Sequence, residues 1–92
     1  MQKPGSEWRP KPGVLAQTLG NEVVLLDANR GVYFSLNATG ARAWQLLSEG
    51  LSFEQIRQAL IEEFEVAADV LEADLKRLLD ELAQNQLIEP GS

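Results

Sequence analysis

The spacing of apolar residues changes at Asn37, and this change restricts the possible folds more than any other feature of the sequence. Before it, three short and largely apolar runs lie at residues 14–19, 22–27 and 32–36. After it, apolar residues recur at intervals of three and four, which is typical of amphipathic helices. Because the strands come first and the helices second, we predict an α+β domain.

Tight turns separate the three apolar runs. Gly20-Asn21 suits a two-residue hairpin, and residues 28–31 contain an Asn and a Gly, which tolerate positive φ. Consecutive strands joined by short turns pair most economically as an antiparallel meander. The sequence therefore predicts a three-stranded antiparallel sheet in which the first and third strands are the edges.

The first two helices each have a capping signal. Asn37 can cap a helix over residues 38–49, and Gly50 is a natural stop for that helix. The S-x-x-Q pattern beginning at Ser52 is a capping box, which opens a second helix over residues 53–64. A third helix, described next, would complete an order of three strands followed by three helices, which is similar to that of a winged helix-turn-helix domain.

A third helix is predicted from Asp69 to about Gln84, because Asp69 and Glu72 resemble a second capping box. Its apolar residues recur at helical spacing and form a stripe: Leu71, Leu75, Leu78, Leu79 and Leu82. Leu87-Ile88 would then return the chain to the core. The main domain therefore spans residues 14–89.

Residues 1–13 have a different composition, with three of the four prolines of the chain. Proline restricts φ and removes a backbone donor, so we expect an extended N-terminal arm. Trp8 within this arm is either an anchor onto the domain surface or a partly buried aromatic residue without a partner role.

The composition removes most catalytic chemistry. The chain has no cysteine and no histidine, so it lacks thiolates and the commonest general base and metal ligand. Glu62, Glu63 and Glu65 are close in sequence, but surface charges of this kind usually form a solvated helix end. We therefore expect no enzyme activity, no cofactor and no metal.

Charge restricts the partners. The formal net charge is −6. Residues 1–48 carry +2, and residues 49–92 carry −8, from three basic and eleven acidic side chains. Such a surface repels phosphate backbones, so we expect binding neither to nucleic acid nor to a membrane. The apolar runs are far shorter than the roughly 20 residues that cross a bilayer, and we expect a cytoplasmic protein.

The third predicted strand is a candidate binding edge. It contains no proline and no lysine, two residues that often protect an exposed edge. Either the protein itself covers this edge, or another chain pairs there. The candidate residues are Gly31, Val32, Tyr33, Phe34, Ser35 and Leu36, of which Val32, Phe34 and Leu36 should face the core.

The third helix could supply a second wall beside that edge. Its leucines exceed what a helix of this length must bury, and charged residues flank the stripe. The candidate residues are Leu71, Asp74, Leu75, Arg77 and Leu78. In the alternative interpretation, all these leucines belong to the core and both charged side chains are solvated.

Two motifs point to a known family. The pattern Y-F-x-L-N-x-x-G begins at Tyr33, and E-G-x-S begins at Glu49. With the spacing of apolar residues around them, they make residues 13–88 resemble the PqqD-like family. That resemblance implies a recognition element for ribosomally synthesised and modified peptides, which binds the precursor's leader segment and presents it to modifying enzymes.

The resemblance also implies a site. In this family the leader adds as a fourth strand to the third strand, in the groove beside the third helix. The role is carried onto Val32, Tyr33, Phe34 and Ser35 of the strand and onto Leu71, Asp74, Leu75 and Leu78 of the helix.

The sequence resembles the stand-alone proteins of lasso peptide clusters more than the member that acts in pyrroloquinoline quinone synthesis. It has the pattern D-x-x-x-G-x-Y-x-x-L-N from Asp27, and it lacks a Pro-Glu pair near the third strand. The implied partners are a lasso precursor leader and a separate leader peptidase, with a cyclase as a further candidate.

Two other functions are compatible with the same order of elements. A winged-helix regulatory domain would need a basic recognition helix, and the second and third helices carry more acidic than basic residues. A protein–protein adaptor could instead pair its edge strand with a second copy.

Overall fold

A computed structural model of the protein describes residues 8–90. Residues 1–7 of the expected N-terminal arm, and Gly91-Ser92, lie outside the described residues. The elements are, in chain order, β1 (Trp8–Pro10), β2 (Val14–Leu19), β3 (Glu22–Asp27), β4 (Val32–Leu36), α1 (Ala38–Ser48), α2 (Phe53–Phe64), α3 (Ala68–Gln84) and β5 (Ile88–Pro90).

The central sheet is the predicted antiparallel meander, in the order β2-β3-β4. Its three strands coincide with the runs predicted from the sequence, and three helices follow, so the α+β prediction is confirmed. Gly20 has φ +65°, and Asn21 has no positive φ, which together indicate a type II′ turn. This turn sets the register, in which Leu19 pairs with Glu22 and Val14 with Asp27.

The capping predictions hold for the first two helices. The Asn37 side chain accepts a hydrogen bond of 2.9 Å from the Gly40 N–H at the start of α1. At the start of α2, the Ser52 hydroxyl accepts from the Gln55 N–H, and the Gln55 side chain accepts from the Ser52 N–H. Both caps satisfy N–H groups that the helix itself leaves unpaired.

The capping box predicted at Asp69 is wrong. The N-cap of α3 is Ala67, which makes no side-chain cap, and Asp69 already lies in the first turn. Glu65 adopts a left-handed conformation with φ 51° at the end of α2, so the next helix can begin only three residues later. Asp69 accepts from the adjacent Val70 N–H, and its charge near the helix N-terminus is favourable.

The core lies between the helices and the inner face of the sheet. α1 is central, because it contacts both other helices as well as β1, β3 and β4. The most deeply buried side chains come from the sheet, from α2, from α3 and from the segment before β5: Leu25, Ile56, Leu60, Leu82 and Leu87. Burial of each such side chain stabilises the fold by about 1.5–3 kcal/mol.

A second, two-stranded sheet joins residues near the two ends of the described chain. β1 pairs with β5, and Arg9 forms an ion pair of 2.7 Å with Glu89. Trp8 is half-buried and packs against the core. The sequence analysis anticipated the return of Leu87-Ile88 to the core but not this strand pairing.

Within residues 8–90, no helix is both long enough and apolar enough to cross a membrane.

Candidate functional site

One edge of β4 has no strand partner within the described residues, because β4 pairs with β3 alone. The backbone directions follow from the type II′ turn, whose flanking residues Leu19 and Glu22 exchange hydrogen bonds. Alternation along the ladder then directs the bonds of Leu25 toward Phe34 in β4. The N–H and C=O groups of Tyr33 and Ser35 consequently point to the free edge.

The side chains of β4 alternate as predicted. Val32 and Phe34 are half-buried and Leu36 is buried, whereas Tyr33 and Ser35 are exposed on the other face. Tyr33 is 72% exposed, although it is the largest side chain of the strand. The strand therefore offers unpaired backbone at its edge and apolar side chains on the face that turns toward the helices.

A groove of about 320 Å³ runs between β4 and α3. Leu71 and Leu75 are buried in its floor, and Leu78 is half-buried in its wall. Asp74 and Arg77 are exposed on its rim and form an ion pair of 3.0 Å. The groove is lined by Phe34, Ser35, Leu36, Asn37, Thr39, Gly40, Ala43, Leu60, Val66, Val70, Leu71, Asp74, Leu75, Arg77, Leu78 and Glu81.

Eight of the eleven predicted site residues lie in this lining, and the structure brings the strand set and the helix set together. Gly31, Val32 and Tyr33 do not line the groove. Val32 and Tyr33 belong to the same strand, and Gly31 lies in the turn before it with φ +70°. The first half of β4 and the turn before it therefore extend beyond the groove.

The sequence analysis missed the contribution of α1 to the groove floor. Gly40 and Ala43 are small, and a Cβ added to Gly40 would lie 3.3 Å from Leu36 Cδ2. The close approach of Gly40 to Leu36 thus brings the start of α1 against the end of β4. A signal existed in the Y-F-x-L-N-x-x-G pattern, which places the glycine four residues after the leucine.

Other lining residues were also missed, among them the exposed Val66 and Val70. They are 38% and 55% exposed, so each keeps apolar surface in contact with solvent at the start of α3. Val66 lies just before α3, whereas Val70 lies in its first turn and off its leucine stripe, and this position off the stripe is the sequence signal that could have identified Val70. Together with Leu78 they give the open groove an apolar wall.

Most basic side chains of the helices are already paired. Arg57 bonds to Glu54 and Glu72, and Lys76 bonds to Glu72 as well. The hydrogen bond from Lys76, followed by its charge, lowers the pKa of Glu72. Neither α2 nor α3 therefore presents the unpaired basic surface that a nucleic-acid recognition helix requires.

The acidic cluster at the end of α2 is solvated. Glu62, Glu63 and Glu65 are exposed, and Glu63 accepts two hydrogen bonds from Arg42, of 2.9 and 3.0 Å. The hydrogen bond from Arg42 lowers the pKa of Glu63, because it stabilises the ionised carboxylate. Residues 8–90 contain no group of three or more acidic side chains that could hold a metal ion.

The model of the family described as coenzyme PQQ synthesis protein D (PqqD) matches residues 22–88. None of the curated proteins matches the chain significantly.

Two solved structures have the same fold. The structure of TbiB1 in complex with the TbiA(beta) leader peptide superposes with a TM-score of 0.81 at 37% identity, covering 91% of this chain and 98% of that one. Lasso peptide synthetase B1 complexed with the leader peptide gives a TM-score of 0.81 at 33% identity, covering 91% and 99%.

Proposed function

This chain belongs to the PqqD family, and we propose that it binds the leader segment of a ribosomally synthesised precursor, that of a lasso peptide, by strand addition to β4. One observation carries the proposal: the unpaired edge of β4 lies directly beside a groove with apolar walls. The two similar structures, each of a protein in complex with a leader peptide, support it.

In the proposed complex, backbone and side chains have separate tasks. The N–H and C=O groups of Tyr33 and Ser35 pair with the leader and set its register, which requires no particular leader sequence. Apolar leader side chains enter the groove and contact Leu71, Leu75 and Leu78, which gives selectivity. Asp74 on the rim attracts a cation or an N–H group of the leader.

The interaction free energies favour leader binding when the backbone edge and the groove both contribute. Each backbone hydrogen bond contributes roughly 0.5–1.5 kcal/mol net, and each buried apolar anchor about 1.5–3 kcal/mol. Ordering a leader that is disordered in solution costs about 2–5 kcal/mol. At the middle of these ranges, four bonds and two or three anchors exceed the ordering cost by about 6 kcal/mol, whereas the four bonds alone barely offset it, so the apolar anchors are needed.

The proposed role in biosynthesis is delivery rather than chemistry. A precursor held by its leader, with a separate leader peptidase docked on the same protein, places the scissile bond at a high local concentration beside the peptidase. A cyclase docked on the same protein would likewise meet the precursor at a high local concentration. The lack of cysteine and histidine, and the pairing of Glu63 with Arg42, agree with a protein that performs no catalysis itself.

Amide chemical-shift mapping tests the proposal. ¹⁵N-labelled protein is titrated with synthetic TbiA(beta) leader peptide, with a peptide of scrambled order as the control. We expect shifts concentrated in residues 31–36 and 70–78 with the leader alone. Shifts confined to other residues, or no shifts at millimolar peptide, would overturn the proposal.

Self-pairing of the β4 edge between two copies is the competing function. Light scattering after size-exclusion chromatography should give the mass of one 10.2 kDa chain. A stable dimer that dissociates only when leader is added would still agree with binding at this edge, whereas a dimer unaffected by leader would favour the adaptor.

A further inference from the structure

Arg30 joins two parts of the molecule that are far apart in sequence. Its Nε donates to Asp27 Oδ2 at 2.8 Å, and its Nη2 donates to the backbone carbonyls of Asn85 at 2.8 Å and Gln86 at 3.0 Å. Its Nη1 also contacts Gln86 Oε1, at 3.4 Å. One guanidinium therefore connects the turn before β4 to the C-terminal end of α3.

These partners are well suited to hold a guanidinium. The carbonyls at the end of a helix lack intrahelical donors and lie at the negative end of its dipole. Asp27 is 7% exposed, and it also accepts from the Asn29 N–H at 3.1 Å. The planar fork of arginine can bond a carboxylate and two carbonyls at once, whereas a lysine ammonium is a single point of charge.

The position of these contacts relates them to the groove. The groove lining begins at Phe34 on the strand side and ends at Glu81 on α3. Arg30 lies four residues before Phe34, and Asn85 lies four residues after Glu81. The contacts of Arg30 with Asn85 and Gln86 therefore lie beyond one end of the groove, between the start of β4 and the end of α3.

We propose that Arg30 is a positioning residue for the groove: by tying the start of β4 to the end of α3, it sets the separation of the two walls. It raises the affinity for an extended peptide without contacting that peptide. This inference deepens the proposed function and rests on it where affinity is concerned, but the effect on wall separation is independent of any ligand.

The protein contains a matched control in Arg42. The Arg42 side chain is 33% exposed and that of Arg30 34%, and each bonds an acidic side chain through Nε, at 2.9 and 2.8 Å respectively. Arg42 joins α1 to Glu63 of α2 and does not line the groove. Comparable loss of unfolding free energy in the two alanine variants would remove general destabilisation as an explanation.

The first experiment measures wall separation without a ligand. Because the chain has no cysteine, Tyr33→Cys and Ala73→Cys introduce the only two spin-label sites, one on β4 and one on the exposed side of α3. Double electron–electron resonance should show a longer or broader distance distribution after Arg30→Ala and the original one after Arg42→Ala. An unchanged distribution after Arg30→Ala would overturn the inference.

The second experiment measures affinity for the TbiA(beta) leader peptide by fluorescence polarisation. We expect Arg30→Ala to weaken binding about tenfold, and Arg42→Ala to leave it within about twofold. Arg30→Lys should remain weak, because it keeps the charge but cannot bond the Asp27 carboxylate and both backbone carbonyls at once. Full recovery with Arg30→Lys would contradict the inference.

The two experiments separate the two proposals. If the unmodified protein fails to bind leader, the proposed function fails, and the distance measurement still tests the role of Arg30. If the unmodified protein binds leader but Arg30→Ala changes neither distance nor affinity, only the role of Arg30 is wrong. Should Arg30→Ala fail to fold, Arg30→Lys supplies the same comparisons.

Discussion

Within residues 8–90, the three-stranded sheet has two free edges, β2 and β4, and they differ in what lies beside them. Five of the six residues of β2 are exposed, and only Val14 is half-buried. In β4 the side chains alternate between exposed and packed, ending at Leu36, which is 2% exposed. The groove lining includes three residues of β4 and none of β2.

This difference shows why an unpaired edge is not by itself a binding site. A peptide added to β2 would gain backbone hydrogen bonds of roughly 0.5–1.5 kcal/mol each. It would then have little further apolar burial to offset an ordering cost of about 2–5 kcal/mol. In the proposed complex at β4, the leucines of α3 would supply that burial, so the second wall would offset the ordering cost that the edge alone cannot.

Proline substitution at each edge is the strongest way to break the comparison. Ser35→Pro removes an N–H that points to the free edge of β4, and Thr18→Pro removes the equivalent group in β2, so neither interrupts the ladder to β3. Since a guest carbonyl is left unpaired and the ring obstructs pairing, we expect Ser35→Pro to weaken leader binding by roughly tenfold to a hundredfold.

Fluorescence polarisation with the TbiA(beta) leader measures both variants, and circular dichroism checks that each is folded. Thr18→Pro should bind the leader normally. Equal weakening by the two substitutions would mean that the edges do not differ as we propose.

Leucine truncation sharpens the contribution of the second wall. Leu78→Ala removes a half-buried side chain from the groove, and Leu19→Ala removes one that is 59% exposed at the end of β2. We expect Leu78→Ala to weaken leader binding about tenfold, because part of an apolar contact is lost. Isothermal titration calorimetry should show no change for Leu19→Ala, and similar losses for both would remove α3 from the site.

Charge on the rim should have a smaller effect. Asp74→Ala removes an acidic group from the groove and releases Arg77 from its ion pair, whereas Asp80→Ala removes the same charge from an exposed position outside the lining. Exposed pairs contribute about 0.2–1 kcal/mol, so we expect a two- to fivefold loss of affinity for Asp74→Ala. Equal losses in both variants would indicate a long-range effect of net charge instead.

The hydrogen bond between Arg30 and Asp27 should also make the stability of the fold depend on pH. The hydrogen bond from Arg30 is the main cause that lowers the pKa of Asp27 below its ordinary value of 3.8, against the opposing effect of burial. A lowered pKa stabilises the fold at pH values above the ordinary one, and this contribution is lost as the pH falls through the lowered value.

Thermal unfolding followed by circular dichroism at decreasing pH measures this contribution. The melting temperature of the unmodified protein should fall more steeply in the acid range than that of Asp27→Asn. Parallel curves would show that this carboxylate does not stabilise the fold through its charge.

The local parts of the fold could be predicted from sequence because their signals are local. The short apolar runs, the Gly20-Asn21 turn, and the caps at Asn37 and Ser52 each depend on residues within a few positions of one another. The start of α3 was misplaced because Asp69 has the right residue type for a cap. Its position depends on the left-handed Glu65, which no capping pattern indicates.

The site could be predicted only in part for the same reason. Leu71, Asp74 and Leu78 share a helix flank, so periodicity placed them together, but their role beside the third strand, and that of Leu75, came from the resemblance to the PqqD-like family. The bonds from Arg30 to Asn85 and Gln86 cross 55 and 56 positions, and the pairing of β1 with β5 crosses 80, so neither has a local signal. The three prolines among residues 1–13 also led to the prediction of an extended arm instead of a paired strand at β1.

The pairing of β1 with β5 has a practical consequence for building with this domain. Trp8 lies opposite Pro90 across a strand pair, so the backbone enters and leaves the fold at neighbouring points. Adjacent entry and exit points are the geometry that tolerates circular permutation and insertion into a loop of a host protein. Residues 8–90 could therefore be inserted into a surface loop of an unrelated enzyme without separating the two ends of that loop.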